Sequence, residues 1–396
     1  MPDNCILQFE GGSINGAKLT LTNTWLEGKI SFNNEIDGTT ANEQAYMWWF
    51  NDNIDLWHSF INISSGVIKY EYSSGEYLST VAISKKLYKP IIIEGNGCVI
   101  KYEHLVSGEK WIQLYSSTDD NIVKQVVGTL NPGDNAITLS DVEGVNVGDA
   151  LCLKDNTVAS YNPTRNYQQG EYIFVKGING NVITPNHKIY GTYKHEGNQI
   201  VTRFELHDVT IRNLKLEQID TVQMAANKYT YGISIFRAKL TAENVSVIGF
   251  THCFRAYYCI NSRIQDCIFV ANYKVFDGTD NYGLTISHCQ DLNISGGRYE
   301  GGNHGIANGG NYEGDFAIPN RNITIQGVYA NSNKFAYGID VHGNAANYII
   351  RDNVTNGIDV NGDNFTITNN NVSGIISLHG LTMNHIISEN IVGDHI

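Results

Sequence analysis

Charged side chains are scarce in this 396-residue sequence, where Asp, Glu, Lys and Arg together make up only 17% of the positions. Cations are the rarer sign, because 27 Lys and Arg stand against 40 Asp and Glu, for a formal net charge of −13. A protein that binds phosphate backbones needs the opposite excess. We therefore expect no nucleic-acid partner, and an acidic ligand would need a local basic pocket.

Long apolar runs and a leader are also missing. No apolar stretch approaches the length of a membrane span, so we expect no membrane insertion. The first four residues, Met-Pro-Asp-Asn, have no signal-peptide character. The sequence therefore predicts a protein that is made in the cytoplasm, even if it later acts outside the cell.

The seven cysteines are an odd number and lack the spacing of a metal site. Four of them lie in apolar, strand-like runs, at Cys253, Cys259, Cys267 and Cys289. This placement favours buried thiols over disulfides. We expect no cofactor, and calcium is the one ion kept as an alternative.

Glycine (39) and tyrosine (23) are abundant, whereas proline occurs six times, which is typical of many short strands joined by tight turns. From Thr202 onward an Asp or Asn repeatedly precedes an apolar-x-apolar triplet. Triplets this short form strands only if each coil bonds to the next one. The sequence therefore predicts an all-β solenoid with these residues in equivalent turns: Asp208, Asn244, Asp266, Asp291, Asn322, Asn347, Asn364 and Asn384.

The same rhythm divides the chain into four predicted parts. Residues 1–45 hold short alternating apolar stretches, which predict narrow starting coils. Residues 46–125 contain a capping helix and the first coils, and helical spacing of apolar residues places that helix over 45–63. The regular spacing of short apolar stretches is lost over 126–200, which predicts an inserted small β module. It returns over 201–396 as the main β-helix.

The stretch Tyr-Gly-Ile-Asp-Val-His-Gly at 337–343 has two echoes, at 356–362 and 376–380. The closing glycines are 19 and 18 residues apart, so one coil is expected to lie on the next. Because side chains alternate faces along a strand, inward apolar residues leave the polar residues outside. Two outward columns follow, Asp340–Asp359–Ser377 and His342–Asn361–His379.

This organisation resembles the right-handed parallel β-helix of the pectate-lyase-like superfamily, including phage tailspikes and polysaccharide-processing proteins. The run Tyr337-Gly-Ile-Asp340-Val-His342 is similar to the Tyr-Gly-x-Asp-Pro-His motif of mannuronan C5-epimerases, with Val341 in place of proline. The resemblance implies that these Tyr, Asp and His residues belong to an active site, with His379 as a second histidine. It also implies a polysaccharide ligand, a place in a virion tail and a homotrimer. The paired-Asp, Gly-His-Gly and Arg-x-Lys set of polygalacturonases is not reproduced.

Two chemistries fit these residues. β-Elimination and C5 epimerisation need a base, a proton donor, and cations on the sugar carboxylate. Glycoside hydrolysis needs two carboxyl groups, and Asp340 and Asp359 on successive coils would lie about 5 Å apart. The catalytic candidates are Tyr337, Asp340, His342, Asp359 and His379. The candidates for substrate binding are Arg351, Asn361, His304, Asn308, Arg321 and Lys334. A β-helix that binds glycan without cleaving it, or that is purely structural, is the alternative.

Overall fold

The computed structural model describes residues 6–9, 13–14, 19–28, 31–32, 36–40, 42–64, 67–102, 108, 110–116, 122–158, 168–193, 199–219, 229–272, 281–309, 318–341, 345–379 and 384–393. Its first five strands pair in parallel, as two small sheets with the orders β1–β3–β5 and β2–β4. These strands are β1 (Ile6–Phe9), β2 (Ser13–Ile14), β3 (Leu19–Gly28), β4 (Ser31–Phe32) and β5 (Ile36–Thr40).

The single helix predicted over 45–63 is wrong. A short 3₁₀ helix, Met47–Phe50, is separated from the α-helix α1, Ile54–Ile63. Asn51 and Asp52 between them have left-handed φ angles of 50° and 56°, which an α-helix interior does not accommodate.

Asn53 then begins the second helix. Its side-chain oxygen accepts hydrogen bonds from the backbone N–H groups of Asp55 and Leu56, at 3.2 and 3.1 Å. Trp57 and Phe60 of α1 are almost completely buried and belong to the same apolar core as the coils that follow. The aromatic face of the helix therefore covers the solenoid core, as the sequence predicts.

After the helix the chain winds into coils of three strands, and parallel pairing between coils builds three sheets. We call them sheets A, B and C in the order in which each coil visits them. Sheet A holds β9 (Ile83–Leu87), β11 (Lys110–Ser116), the first part of β19 (Tyr231–Ile248) and of β20 (His252–Gln265), β22 (Tyr282–Ser287), β25 (His304–Asn308), β28 (Ile339–Val341), β31 (Ile358–Asn361) and β34 (Ile376–His379).

Sheets B and C continue each coil. Sheet B holds β6 (Gln44–Tyr46), β7 (Lys69–Glu71), the first part of β10 (Ile91–Tyr102) and of β18 (His207–Gln218), the middle of β19, the end of β20, β23 (Gln290–Ser295), β26 (Asn320–Gln326), β29 (Ala345–Arg351), β32 (Asp363–Thr368) and β35 (Ile386–Ser388). Sheet C holds β8 (Glu76–Ser79), the ends of β10, β18 and β19, β21 (Ile268–Val270), β24 (Arg298–Gly301), β27 (Tyr329–Ser332), β30 (Val354–Thr355), β33 (Asn371–Val372) and β36 (Ile391–Val392). The predicted parallel β-helix is confirmed.

Inward side chains of equivalent strands lie directly above one another and fill the interior. In sheet A the register stacks Ile233, Phe254, Leu284, Ile306 and Ile339, and each of them is at most 1% exposed. A strand of three to five residues buries too little apolar surface to be stable alone, so the stacking between coils supplies the core.

A ladder of polar side chains marks the start of successive sheet-B strands, at Asp291, Asn322, Asn347 and Asn364. Each amide donates a hydrogen bond to the side chain one coil earlier, over distances of 2.9, 3.0 and 3.1 Å. All four residues have left-handed backbones, which Asn and Asp tolerate better than other side chains. The predicted equivalence is right for these four residues.

The same prediction is wrong for Asn244 and Asp266, which lie at the next corner, between sheets B and C. Asn244 donates there to the side chain of Asn213 at 3.0 Å. The triplet pattern is identical at both corners, because both need a left-handed residue before an inward apolar residue. The sequence pattern alone therefore does not separate them.

The inserted β module is a sheet of six antiparallel strands with its own apolar core. Its order is β12–β17–β14–β15–β16–β13, so the strand that leaves the module, β17, lies beside the strand that enters it, β12. The strands are β12 (Val123–Gln125), β13 (Ile137–Thr138), β14 (Ala150–Val158), β15 (Gln168–Asn179), β16 (Val182–Pro185) and β17 (Ile200–Phe204).

Gln290 joins the module to the solenoid. Its side-chain oxygen accepts from the Tyr172 N–H and its side-chain nitrogen donates to the Tyr172 carbonyl, both at 2.8 Å. Around this pair, Tyr172 and Phe204 of the module share an apolar cluster with Ile260 and Ile318 of the solenoid. The amide thus takes the place of a neighbouring strand beside Tyr172, within β15.

Three smaller expectations concern cysteines, membranes and metals. Six cysteines in the described part of the chain are free and buried, as predicted; the seventh, Cys5, lies outside the described residues. Within the described ranges, no helix is long and apolar enough to cross a membrane. No group of three or more His, Cys, Asp or Glu side chains there is arranged to hold a metal ion.

Candidate functional site

A column of outward side chains runs along the later coils of sheet A. The register places Thr285, Ala307, Asp340, Asp359 and Ser377 on successive strands. The predicted order of the last three is right, so Asp340 and Asp359 lie on adjacent strands, which are about 4.8 Å apart along the solenoid.

Asp340 is paired with His304 from the previous coil. The imidazole Nε2 lies 2.8 Å from Asp340 Oδ2, and the Nδ1 lies 2.9 Å from the backbone carbonyl oxygen of Tyr337. A carbonyl can only accept, so Nδ1 carries a hydrogen. The Nε2–Oδ2 hydrogen bond needs a second proton, held on the imidazole or on the carboxyl group. The geometry therefore allows the two side chains to share a proton.

Asp359 has its own histidine. The Nε2 of His379 lies 3.0 Å from Asp359 Oδ1 and 3.0 Å from the hydroxyl oxygen of Ser377. The four side chains thus follow the order His304, Asp340, Asp359, His379, with an imidazole at each end and the carboxylates in the middle.

Solvent exposure is greatest at the His379 end of this row. The side chains of His304 and Asp340 are 11% and 8% exposed, whereas those of Asp359 and His379 are 14% and 57% exposed. The Asp340 end is consequently sheltered and the His379 end open. A sheltered carboxyl that shares a proton and a more open carboxylate are the two environments that acid–base chemistry on one substrate needs.

Other predicted residues lie near this row. Asn361 is in register with His379, and its buried side-chain oxygen has no hydrogen-bond partner among the described residues. Lys334 is exposed beside Phe335, whose ring stacks on His304 with centroids 5.9 Å apart. The Tyr337 side chain is half-buried, and its backbone rather than its hydroxyl contacts His304. His342 lies outside the described residues.

Three predicted substrate-binding residues are elsewhere. Asn308 points into the interior, is 4% exposed and accepts a hydrogen bond from Asn320. Arg321 begins a sheet-B strand, where its guanidinium lies over the ring of Tyr190 from the inserted module.

Arg351 is the third, at the end of β29 in sheet B, where it donates to the Gln326 side chain at 2.7 and 3.1 Å. The two arginines were assigned because they are close to Asp340 in sequence. A three-sided coil turns the chain onto another sheet within about ten residues, so sequence neighbours of Asp340 do not share its face.

A ladder of rings beside the column is absent from the sequence-based assignment. It runs through Tyr231, His252, Tyr282 and His304, with successive centroids 4.9, 5.2 and 5.8 Å apart. The sequence does contain a signal for it. Three of these rings directly precede one of the recurrent glycines, Gly232, Gly283 or Gly305, and so does Tyr337.

Residues 249–394 match the model of a family described as Gp49, pectin lyase-like. No curated protein matches the sequence significantly. Several solved structures are similar. One is tailspike gp61 of Pseudomonas phage phi297, 16% identical with a TM-score of 0.63 over 85% of this chain and 56% of that one. Another is the Gp54 tailspike of Acinetobacter baumannii bacteriophage AP22 in complex with A. baumannii capsular saccharide, 16% identical with a TM-score of 0.62 over 88% and 69%.

A third is tailspike gp49 of Pseudomonas phage LKA1, 18% identical with a TM-score of 0.54 over 81% of this chain and 54% of that one. The chain spans little more than half the length of two of these three tailspikes. At such identities the likeness shows a shared fold, and the tailspikes' own ligands are not thereby transferred.

Proposed function

We propose that this protein is the β-helical body of a phage tailspike that binds a bacterial surface polysaccharide along sheet A and cleaves it. The fold shared with three tailspikes, one of them bound to capsular saccharide, supports the substrate class. The observation that carries the enzymatic part is the pair Asp340 and Asp359, which lie on adjacent strands and have a histidine Nε2 at 2.8 and 3.0 Å respectively.

Glycoside hydrolysis is the reaction that this arrangement supports best. Retaining glycosidases place two carboxyl groups about 5 to 5.5 Å apart, close to one strand spacing. Asp340, sheltered and sharing a proton with His304, is the proposed general acid. Asp359, more open to solvent, is the proposed nucleophile. His379 would hold and orient the Asp359 carboxylate.

β-Elimination has less support. It requires cations that neutralise a sugar carboxylate at the reacting ring. Arg321 and Arg351, the cations proposed for that role from the sequence, lie on sheet B. Near the Asp340–Asp359 pair, Lys334 is the remaining predicted cation, and it is exposed on the turn beside Phe335.

The test is incubation with a panel of bacterial capsular polysaccharides, followed by measurement of reducing ends and of absorbance from unsaturated uronates. Hydrolysis gives reducing ends without the absorbance, and NMR of the first product shows retention at the anomeric carbon. Absorbance from unsaturated sugars would show that the reaction is elimination rather than hydrolysis. Tight binding without products would favour the receptor-binding alternative, to which the 8% exposure of Asp340 also points.

We further propose that the protein assembles as a homotrimer in the virion tail. Apolar side chains on the outer face of sheet C are consistent with contacts between copies, since Ile268, Tyr329, Val354 and Ile391 are 40–70% exposed. Light scattering of the purified protein tests this directly. A mass near three times 44.0 kDa is expected, and a mass of one chain would contradict it.

A further inference from the structure

The sheet-A coils that precede the carboxylate pair carry a second group of polar side chains, centred on Arg255. Its guanidinium carbon lies 4.5 Å from the ring centroid of Tyr231 and 4.4 Å from that of Tyr257. Two rings at this distance restrict the position of the guanidinium, and these contacts do not use its N–H groups as hydrogen-bond donors.

Arg255 differs from other arginines of the solenoid in what it contacts. Arg212, Arg263 and Arg298 each form an ion pair with a glutamate. Within the described part of the chain, Arg255 forms neither an ion pair nor a hydrogen bond, and its Nε is buried without a partner. A buried N–H of this kind normally has a hydrogen-bond partner. The Arg255 Nε–H is therefore available to an acceptor on a bound ligand.

Hydroxyl groups on the strands next to Arg255, or beside Tyr257, are also buried without a hydrogen-bond partner among the described residues. Ser234 and Thr285 are the register neighbours of Arg255 on the two adjacent strands, and Ser287 is the neighbour of Tyr257. They are 0%, 4% and 2% exposed, and their hydroxyl oxygens have no hydrogen-bond partner among the residues described. Three buried hydroxyls and one buried guanidinium N–H therefore belong to three adjacent strands in one stretch of the sheet.

The local charge is positive, in contrast to the whole chain. Lys110 is in register with Tyr231, and its ammonium lies 5.6 Å from the ring of Phe236. Burial and the nearby Arg255 guanidinium lower the pKa of Lys110. Lys110 and Arg255 repel each other, and neither has an ion-paired carboxylate in the described ranges. An anion bound near both cations would therefore stabilise them.

We propose that Arg255, Ser234 and Thr285 form a subsite for the carboxylate of an acidic sugar, so that the substrate is an anionic polysaccharide. A carboxylate presents two oxygens to a guanidinium edge, and the hydroxyls bind the sugar beside it. The subsite rests on the proposed function and extends it. The register runs Arg255, Thr285, Ala307, Asp340, so the anion lies three strands, roughly 14 Å, from the proposed cleavage point.

The test uses saturation-transfer NMR on the full chain, with sodium D-glucuronate as the probe. Its methyl ester, which has lost the charge, and glucose 6-phosphate are the comparison ligands. Glucuronate is expected to bind, the ester at least about tenfold more weakly, since the charge-assisted bonds to Arg255 are lost. Stronger binding of glucose 6-phosphate would overturn the choice of carboxylate, and equal binding of acid and ester would overturn the subsite.

Three variants test whether glucuronate binds at Arg255. Arg255→Met is expected to weaken glucuronate binding at least tenfold, whereas Arg263→Met, on the same strand but paired with Glu243 on sheet B, leaves it unchanged. Thr285→Val, expected to weaken binding severalfold, provides the same test if the Met variant does not fold. Unchanged binding in Arg255→Met, or in Thr285→Val when it replaces that variant, would overturn the proposal.

Asp340→Asn separates this proposal from the proposed function. It is expected to bind glucuronate normally, because the subsite lies three strands away. If Asp340→Asn keeps full turnover while Arg255→Met loses glucuronate, the catalytic assignment fails and the subsite stands. If Asp340→Asn loses turnover but wild type binds no glucuronate, the subsite fails and the catalytic assignment stands.

Discussion

His304 Nε2 and Asp340 Oδ2 lie 2.8 Å apart across two successive coils, and the Tyr337 carbonyl oxygen holds the opposite ring nitrogen at 2.9 Å. The backbone carbonyl fixes the orientation of the ring and one of its protons, so the imidazole presents a defined edge to Asp340. The carboxyl group is thus sheltered and oriented, and it lies within hydrogen-bonding distance of the imidazole before any substrate arrives. The Asp359 side chain on the next coil is somewhat more exposed, at 14% against 8% for Asp340.

The first prediction concerns the proton that Asp340 shares. Asp340→Asn keeps the shape of the side chain but removes its capacity to exchange a proton, so turnover of the cleaved polysaccharide should fall at least about 100-fold. Substrate binding should be retained, and the variant should remain folded at the assay temperature. Asp352→Asn, at the exposed corner between sheets B and C, is the matched control and should keep full activity. Equal turnover in Asp340→Asn and wild type would exclude Asp340 as the acid.

The second prediction couples the two residues. If His304 acts through Asp340, the double variant His304→Gln/Asp340→Asn should be about as slow as Asp340→Asn alone, because effects within one catalytic unit do not add. Unfolding free energies of the same four proteins give a readout that is independent of substrate, with an expected coupling of roughly 0.5 to 3 kcal/mol. Strictly additive effects on both quantities would show that the two side chains act separately.

The third prediction concerns acid stability and His58. Burial, opposed by the hydrogen bond to the Val81 carbonyl and the Asp55 charge, lowers the pKa of this imidazole from its ordinary 6.5 to about 4. Unfolded chains take up the proton near pH 6.5 and folded chains only near pH 4, so the group removes stability as pH falls through that window. One pKa unit corresponds to about 1.4 kcal/mol, so this histidine should account for about 3 kcal/mol between pH 6.5 and 4.

His58→Gln isolates that contribution. The variant cannot titrate, so its unfolding free energy, measured by denaturant titration, should fall less than that of wild type between pH 7 and 4. The difference between the two proteins should shrink as the pH drops. Parallel pH profiles would show that His58 is not the group responsible.

Much of the fold follows from the sequence, because two periodicities determine it. Alternation along each strand and the 18- to 19-residue spacing of the closing glycines place Asp340, Asp359 and Ser377 in one column, as the register confirms. What alternation does not determine is which earlier coil lies beneath. His304 is the partner of Asp340, although 36 positions separate them and loops vary that distance.

The errors have local causes. Asn308 has the inward place of Ile286 one coil earlier, because it lies two residues after the inward Ile306 on the same strand. Arg255 gave no signal of its own, since a single arginine in an apolar strand becomes informative only when the rings of Tyr231 and Tyr257 are known to flank it. Chemistry assembled across coils is therefore the part that sequence spacing misses.

The fourth prediction concerns the attachment of the inserted module. Gln290→Ala removes both bonds to the Tyr172 backbone and leaves its buried N–H without its partner, which costs about 1–3 kcal/mol. The variant should unfold at lower denaturant concentration, and protease should cleave within 123–204 sooner than in wild type. Gln265→Ala, an exposed glutamine at the end of β20, is the control and should behave as wild type. Unchanged cleavage and stability in Gln290→Ala would mean that the apolar cluster alone attaches the module.

The last prediction separates backbone strain from side-chain bonding at the corner ladder. Asn347 has a φ of 59°, donates to Asn322 at 3.0 Å and accepts from Asn364 at 3.1 Å. Alanine there loses both bonds and also strains the left-handed backbone, whereas glycine loses the bonds but relieves the strain. Asn347→Ala should therefore lower the unfolding free energy by about 2–4 kcal/mol, and Asn347→Gly by about half as much, in a denaturant titration. If glycine restored wild-type stability, the ladder bonds would contribute nothing and the left-handed backbone alone would explain why Asn recurs at this corner. If instead alanine and glycine were equally destabilising, the side-chain bonds would account for the whole effect.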